Sequence, residues 1–365
     1  MTSAHTGRAP ARTDQLSMAP QSFDHVVIHR DVFTYCSHPS ILRLPDGDWL
    51  LAFMETVRRP TVHHSPSDPR FYNVLARSRD RGRSWSRPVV VPGYDWYGVE
   101  CPSLTTLANG VVLLMQWRWQ WTSWPAEFGV RARGRYERGD SPWARGNDGT
   151  YVHRSHDGGV TWKIGARLDT SPYPGAYTMR AAAELNDGTL LQAVTDIPRW
   201  QRIYLLRSID GGKSWDVGPL VASDARRQFS EPCMVRSGSH LLVLIREETT
   251  GFLHQSDSTD GGHTWTPPRP TPMWGCPPHV LDLGDGRLLC VYGHRHPPYG
   301  IRGCISPDGG ETWDIVNEIV LRDDLPNGNL GYPSSVLVAA GRVFTTYYGE
   351  DKEGVTFIQG TFYDV

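Results

Sequence analysis

The sequence predicts an all-β fold, a six-bladed β-propeller of four-stranded antiparallel blades. Three observations carry that reading: five copies of one eight-residue pattern, six apolar hairpins, and terminal segments able to share one sheet. The five copies are SRDRGRSW (Ser78 to Trp85), SHDGGVTW (Ser155 to Trp162), SIDGGKSW (Ser208 to Trp215), STDGGHTW (Ser258 to Trp265) and SPDGGETW (Ser306 to Trp313). A unit repeated along a whole chain marks a repeat architecture. The local chemistry is that of a turn. The Asp carboxylate accepts from nearby backbone N–H groups, and the Gly two positions on takes a positive φ without a Cβ clash. The Ser or Thr hydroxyl adds a local bond, and the Trp packs a large ring against neighbouring strands. These aspartates are therefore read as turn-holding groups and not as reacting ones.

The hairpins supply the rest of each blade. They begin at His38 (HPSILRLPDGDWLLAF), Glu100 (ECPSLTTLANGVVLLMQ), Arg180 (RAAAELNDGTLLQAV), Glu231 (EPCMVRSGSHLLVLI), Pro277 (PPHVLDLGDGRLLCVY) and Tyr332 (YPSSVLVAAGRVFTTYY). Each places two β-type runs around a tight turn. No helical period of useful length competes with them. Six hairpins and five boxes make six radial sheets. The last blade lacks a box because it closes the ring: DHVVIHRD (Asp24 to Asp31) is expected beside the C-terminal VTFIQGTFYDV, which removes open sheet edges. Residues 1–22 read as a flexible tail and 23–365 as one propeller domain.

Composition narrows the classes of function. A net charge of −2 over 365 residues gives no electrostatic case for nucleic acid. No apolar run is long enough to span a membrane, and the N-terminus has no signal-peptide core, so a cytoplasmic protein is expected. The six cysteines show neither CxxC nor staple-like spacing, so they are expected to be reduced. No cofactor is implied. Adjacent His63 and His64 lack further ligands at metal spacing, so no metal is expected. Oligomeric state is not legible.

Successive box aspartates lie 77, 53, 50 and 48 residues apart. The long first interval falls around Trp117 to Asn147, which carries WRWQWTSW and RARGRYERGD. A loop of that size is usually functional, so Trp119 and Trp121 are candidates to stack on sugar rings. The alternative is a second layer of Trp packing.

In a propeller the first strand of each blade lines the central channel, so its opening residues meet at one mouth. Those residues are His38, Glu100, Arg180, Glu231, His279 (or Cys276) and Tyr332. The alternative is a solvated polar channel. Arg246 follows Glu231 by the length of a hairpin and returns to the same mouth, and Arg302 is placed similarly in blade five. Guanidinium groups there suit a carboxylate ligand, or else internal ion pairs with Glu247 or Glu248. The polar connection from Met54 to Asn73 offers Asp68 or His63 as a proton donor.

The boxes and these residues together resemble the sialidase (neuraminidase) superfamily, whose Asp-box, or BNR, repeats have the same form. The resemblance runs from about residue 25 to 365 and implies a six-bladed propeller with its site at the channel mouth. It implies Tyr332 in GYPSSV as nucleophile, Glu231 in FSEPCMV as its activating partner, Asp68 as acid/base, and Arg246 and Arg302 as two of three carboxylate-holding arginines. The first arginine of the family is replaced by Ser37-His38-Pro39. The expected function is a sialidase-like, exo-acting glycoside hydrolase removing a terminal, acidic sugar, with a carbohydrate as its partner. The alternatives are a uronate lyase using His38 and Tyr332 for proton transfer, with Arg180, Arg246 and Arg302 neutralising the carboxylate, and a glycan-binding propeller without turnover.

Overall fold

A computed structural model describes residues 22–59, 68, 70–92, 97–123 and 143–365. The side chains of 97–98, 121–123 and 143–147 are not described. The expected N-terminal tail therefore lies almost wholly outside the described residues.

Six antiparallel sheets form the predicted ring. Blade one runs outward through Thr34–Arg43, Trp49–Val57, Tyr72–Ser78 and Val89–Val90. Blade two has Tyr97–Thr106, Val112–Ser123 and Trp143–Ser155; single bridges from Tyr151 to Arg167 and from Arg154 to Lys163 supply its outer edge. Blade three has Ala183–Glu184, Leu190–Thr195, Arg202–Ser208 and Asp216–Ser223. Blade four has Phe229–Ser237, His240–Glu247, Phe252–Ser258 and Arg269–Trp274. Blade five has Pro278–Asp282, Leu288–His294, Tyr299–Ser306 and Ile319–Leu325. Blade six has Gly331–Ala339, Arg342–Glu350 and Thr356–Asp364, and its outer strand is the N-terminal Asp24–Arg30. That strand pairs antiparallel with the C-terminal one, from Asp24 opposite Phe362 to Arg30 opposite Phe357. The two ends of the chain thus close the ring in one sheet, as the sequence predicts.

The core lies between blades. In Leu288–His294, Leu289 and Val291 pack towards blade six, and Leu288, Cys290 and Tyr292 towards blade four. Leu190–Thr195 does the same, with Leu190 and Val194 facing blade two and Leu191 and Ala193 facing blade four. Both faces of these second strands are buried, which explains their near-continuous apolar runs where a one-sided sheet would alternate. All six cysteines are free thiols. Among the described residues no helix is long and apolar enough to cross a membrane.

The boxes fold as their chemistry requires. In the second copy, Asp157 accepts from the backbone N–H and hydroxyl of Thr161, the Ser155 hydroxyl donates to Asp157, and the Gly159 N–H donates to Ser155. Those bonds hold the Asp157 carboxyl down at about 2. The structure adds a role invisible in the pattern. The Gly at position five takes φ between +79° and +103° in all five copies. A Cβ there would strike a side chain of the preceding blade in boxes two to five: Leu50, Leu113, Leu191 and Leu242 for Gly159, Gly212, Gly262 and Gly310. Boxes two to five are therefore both turns and clips to the preceding blade.

Gly212 and Gly188 separate the two effects. Both have φ near +80°, but a Cβ on Gly212 would lie 2.7 Å from Leu113, whereas one on Gly188 meets nothing within 4 Å. Gly188→Ala is expected to cost only the left-handed backbone penalty of about 1–2 kcal/mol. Gly212→Ala is expected to cost roughly 1–3 kcal/mol more from overpacking at the blade interface. Urea unfolding of the two variants checks the difference; equal losses would remove the clip.

Candidate active site at the channel mouth

Four innermost strands carry the same irregularity. His38, Cys101, Glu231 and Tyr332 have φ of 56°, 49°, 46° and 51°, and each precedes a proline. The ladder skips at each: Ser37 pairs Met54 and then Ser40 pairs Ala52, and Ser230 pairs Arg246 and then Cys233 pairs Leu244. The same skip follows Glu100 and Gly331. Proline has no N–H to lose from the ladder, so a bulge there forfeits little. A bulge re-aims its side chain. Left-handed backbone at a non-glycine residue costs about 1–3 kcal/mol and is concentrated at functional sites. Four such residues at equivalent places are the local cause of the site.

Three of them, with Arg246, make a connected cluster. The Tyr332 hydroxyl donates to Glu231 Oε1 at 2.7 Å, and Arg246 Nη1 donates to Glu231 Oε2 at 2.6 Å. Arg246 Nη2 lies 2.9 Å from Glu248 Oε2, whose other oxygen accepts from the Ser230 hydroxyl at 2.6 Å. The His38 ring lies against Tyr332, centroids 3.6 Å apart, and stacks nearly parallel on Tyr348. Tyr332 and His38 are each 2% exposed, and Glu231 is 5% exposed. Burial alone would raise the Glu231 carboxyl, but the Arg246 charge and the bonds from Arg246 and Tyr332 outweigh it and hold it below the ordinary value. Burial, then the Glu231 charge, pushes the Tyr332 phenol well above its own. At neutral pH the pair is a neutral phenol on a carboxylate.

The other sequence candidates divide. Glu100 is buried one residue before the bulge; Cys101 holds the equivalent place and lies 2.7 Å from the Tyr177 hydroxyl. The signal for that register was the X-Pro pair, not the first polar residue of the hairpin. Arg302 sits on the third strand of blade five, where it donates to the Arg322 carbonyl at 2.6 Å and pairs with Glu318. Third strands do not line the channel, and Arg295 instead places its guanidinium 5.5 Å over the Tyr332 ring. Sequence reasoning missed Arg295, whose only signal is a position just beyond a second strand. Arg180 and His279 stand on the channel wall, and Arg180 Nε donates across to the Pro278 carbonyl at 2.9 Å. Asp68 is fully buried, ion-paired with Arg59, and accepts from the Arg70 N–H at 2.9 Å. No described contact joins it to Tyr332.

Trp119 is 6% exposed and packs edge-on against Trp117 in the core shared with Tyr332 and Tyr348. Its placement fits the packing alternative. The side chain of Trp121, residues 124–142 and His63 and His64 lie outside the described residues. The long interval is partly explained: blade two extends its second and third strands to 12 and 13 residues, with Ser123 opposite Trp143. Among the described residues no group of three or more His, Cys, Asp or Glu could hold a metal. A cavity of about 810 Å³ opens between blades one and six, lined in part by Tyr35, Arg59, Asn329 and Glu350. Asn329 accepts from the hydroxyls of Tyr35 and Tyr348, which ties that cavity to the mouth through the His38 stack.

Fold and mouth together define a six-bladed propeller with a buried phenol–carboxylate–guanidinium centre. The chain belongs to the BNR repeat-like domain family, whose description matches residues 136–345. A protein of unknown function from Dyadobacter fermentans is similar at 28% identity, over 93% of this chain and 98% of that one, with a TM-score of 0.83. The NanB sialidase of Streptococcus pneumoniae is similar in fold at 14% identity, over 93% of this chain and 70% of that one, with a TM-score of 0.67. So is an α-L-arabinanase of Penicillium chrysogenum, at 15% identity over 95% and 99% of the chains, with a TM-score of 0.62. No curated protein sequence matches the chain.

Removing Arg246 tests the electrostatics. In Arg246→Met the burial of Glu231 is opposed by fewer partners, so its carboxyl rises above the ordinary range. The variant is expected to lose about 3–5 kcal/mol at neutral pH, the usual result of orphaning a buried charge. In the wild type the depressed Glu231 contributes stability above its unfolded pKa and loses it as pH falls through the folded one. The difference between wild type and variant should therefore narrow on acidification below about pH 5. Urea unfolding across that range checks it; a constant difference would mean that only packing was lost.

Proposed function

We propose that the protein is a glycoside hydrolase that removes a terminal sugar, with Tyr332 as nucleophile and Glu231 as the base that polarises it. The observation that carries this reading is the 2.7 Å bond from the Tyr332 hydroxyl to Glu231, built on two strained bulges of distant blades. A neutral phenol is a weak nucleophile until an adjacent carboxylate takes its proton. Arg246 keeps that carboxylate ionised, and Arg295 over the phenol ring favours developing phenolate charge. Two fold neighbours, a sialidase and an arabinanase, support a saccharide substrate. In this scheme Asp68 is the proton donor: displacement of Arg59 by substrate lets its carboxylate take up a proton from water, which it then gives to the departing glycosidic oxygen.

The terminal sugar is neutral in this reading, rather than the acidic one that the sequence suggests. A carboxylate-binding clamp needs guanidinium edges free for ligand. Arg246 already spans Glu231 and Glu248, and Arg295 donates through Nε and Nη2 to the Leu330 carbonyl. The place of the first family arginine is taken by His38. The hydrolase is expected to cleave an aryl glycoside of a neutral sugar and to leave aryl sialosides and glucuronides intact.

One observation favours a second reading. The His38 ring against Tyr332 is also a pairing suited to proton abstraction and return in β-elimination. An unsaturated product with new ultraviolet absorbance would select that lyase reading.

The decisive variants are Tyr332→Phe and Glu231→Gln, assayed on the best substrate of an aryl glycoside panel. Each is expected to lower kcat by roughly 10³-fold or more, and Tyr332→Phe, which leaves the Glu231–Arg246 pair intact, is expected to do so with little change in melting temperature. Unchanged turnover, or binding without turnover in the wild type, would overturn the hydrolase reading and leave a glycan-binding propeller.

A further inference from the structure

Beneath the mouth, Arg180 is a buried charge with no direct ion pair among the described residues. It is 2% exposed, and its Nη2 is shielded from solvent and without a described hydrogen-bond partner. Its one described side-chain bond, from Nε, goes to the Pro278 carbonyl of blade five, so the guanidinium reaches from blade three across the front of blade four. Beside that carbonyl stands His279, whose Nδ1 is likewise shielded and without a described partner. Because the Arg180 guanidinium is anchored on the carbonyl of the residue before His279, the two orphaned nitrogens belong to neighbouring groups.

The charges nearby do not resolve this. Glu231 acts on Arg180 through its charge, but its described bonds go to Tyr332 and Arg246 and none to the Arg180 guanidinium. Cys233 faces the same guanidinium, but its burial pushes the thiol up, so it carries no charge at neutral pH. A guanidinium cannot shed its proton to escape burial. An unpaired buried ion costs several kcal/mol. The Gln192 amide and the Ser103 hydroxyl both donate to the Arg180 carbonyl and offer the guanidinium nothing.

We infer that the channel beneath Tyr332 holds a small inorganic monoanion of the halide class, bound between Arg180 Nη2 and His279 Nδ1. Its role is structural and electrostatic. It neutralises the floor of the mouth, so that Glu231 and Tyr332 are not left facing a bare cation, and it ties blades three and five across the channel. The site stands whether or not the chain turns over a glycoside.

Two measurements test it on the intact chain. Crystals of the wild type soaked in sodium bromide and measured at the bromine edge are expected to show an anomalous peak in the channel between Arg180 and His279. Density there without anomalous signal is a water, and would overturn the assignment. In solution, exchanging gluconate for chloride at constant ionic strength is expected to raise the melting temperature saturably, by about 1–2 °C. Arg180→Met and His279→Gln should each abolish that response. A response that persists in both variants, or none in the wild type, would overturn the site. Because the diffraction experiment uses the unaltered protein, it decides the matter even if Arg180→Met does not fold.

Discussion

The bond from Tyr332 to Glu231 is the constraint on which the site depends, because nothing near either residue in the chain brings them together. They are 101 residues apart, on the innermost strands of blades six and four. Only ring closure holds those strands at one radius, and only the shared X-Pro bulge turns both side chains to the mouth. The bond then sets the charge states. Arg246 and the phenol keep Glu231 ionised, and Glu231 with burial keeps the phenol protonated. Scaffold, backbone strain and electrostatics therefore converge on a single donor–acceptor pair.

The scaffold supports that pair through interfaces rather than through one central core. Each second strand buries both faces, one against each neighbouring blade, and the box glycines let adjacent blades approach without a Cβ between them. The N-terminal strand completes blade six and removes an edge that would otherwise pair with another chain. A blade in such a ring cannot shift alone, which suits a site whose members come from blades one, four, five and six.

Much of this was legible in the sequence, and the parts that were not have physical reasons. The box Asp, Gly and Trp make local bonds, so the pattern reports its own turn. Tyr332, Glu231 and Arg246 were legible because they stand at the openings of one hairpin family, and hairpin length returns Arg246 to the height of Glu231. Cys101 was hidden by one residue: a bulge reverses the facing of its side chain, and Glu100 looks as plausible until the proline is used to set the register. Arg302 and Arg295 are both on the outward path of blade five, and composition does not say which of them ends up over the phenol. Trp119 illustrates a different limit, since an aromatic run fits a sugar platform and a packed wall equally well until burial is known.

The central claim is that Tyr332, and no carboxylate, attacks the anomeric carbon. The direct measurement is trapping with an activated fluorosugar of the best substrate, followed by intact mass and peptide mapping. The account predicts one glycosyl adduct per chain, on the Tyr332 hydroxyl, absent in Tyr332→Phe. An adduct on Glu231 or Glu248 would contradict it, as would steady turnover of the same sugar by Tyr332→Phe.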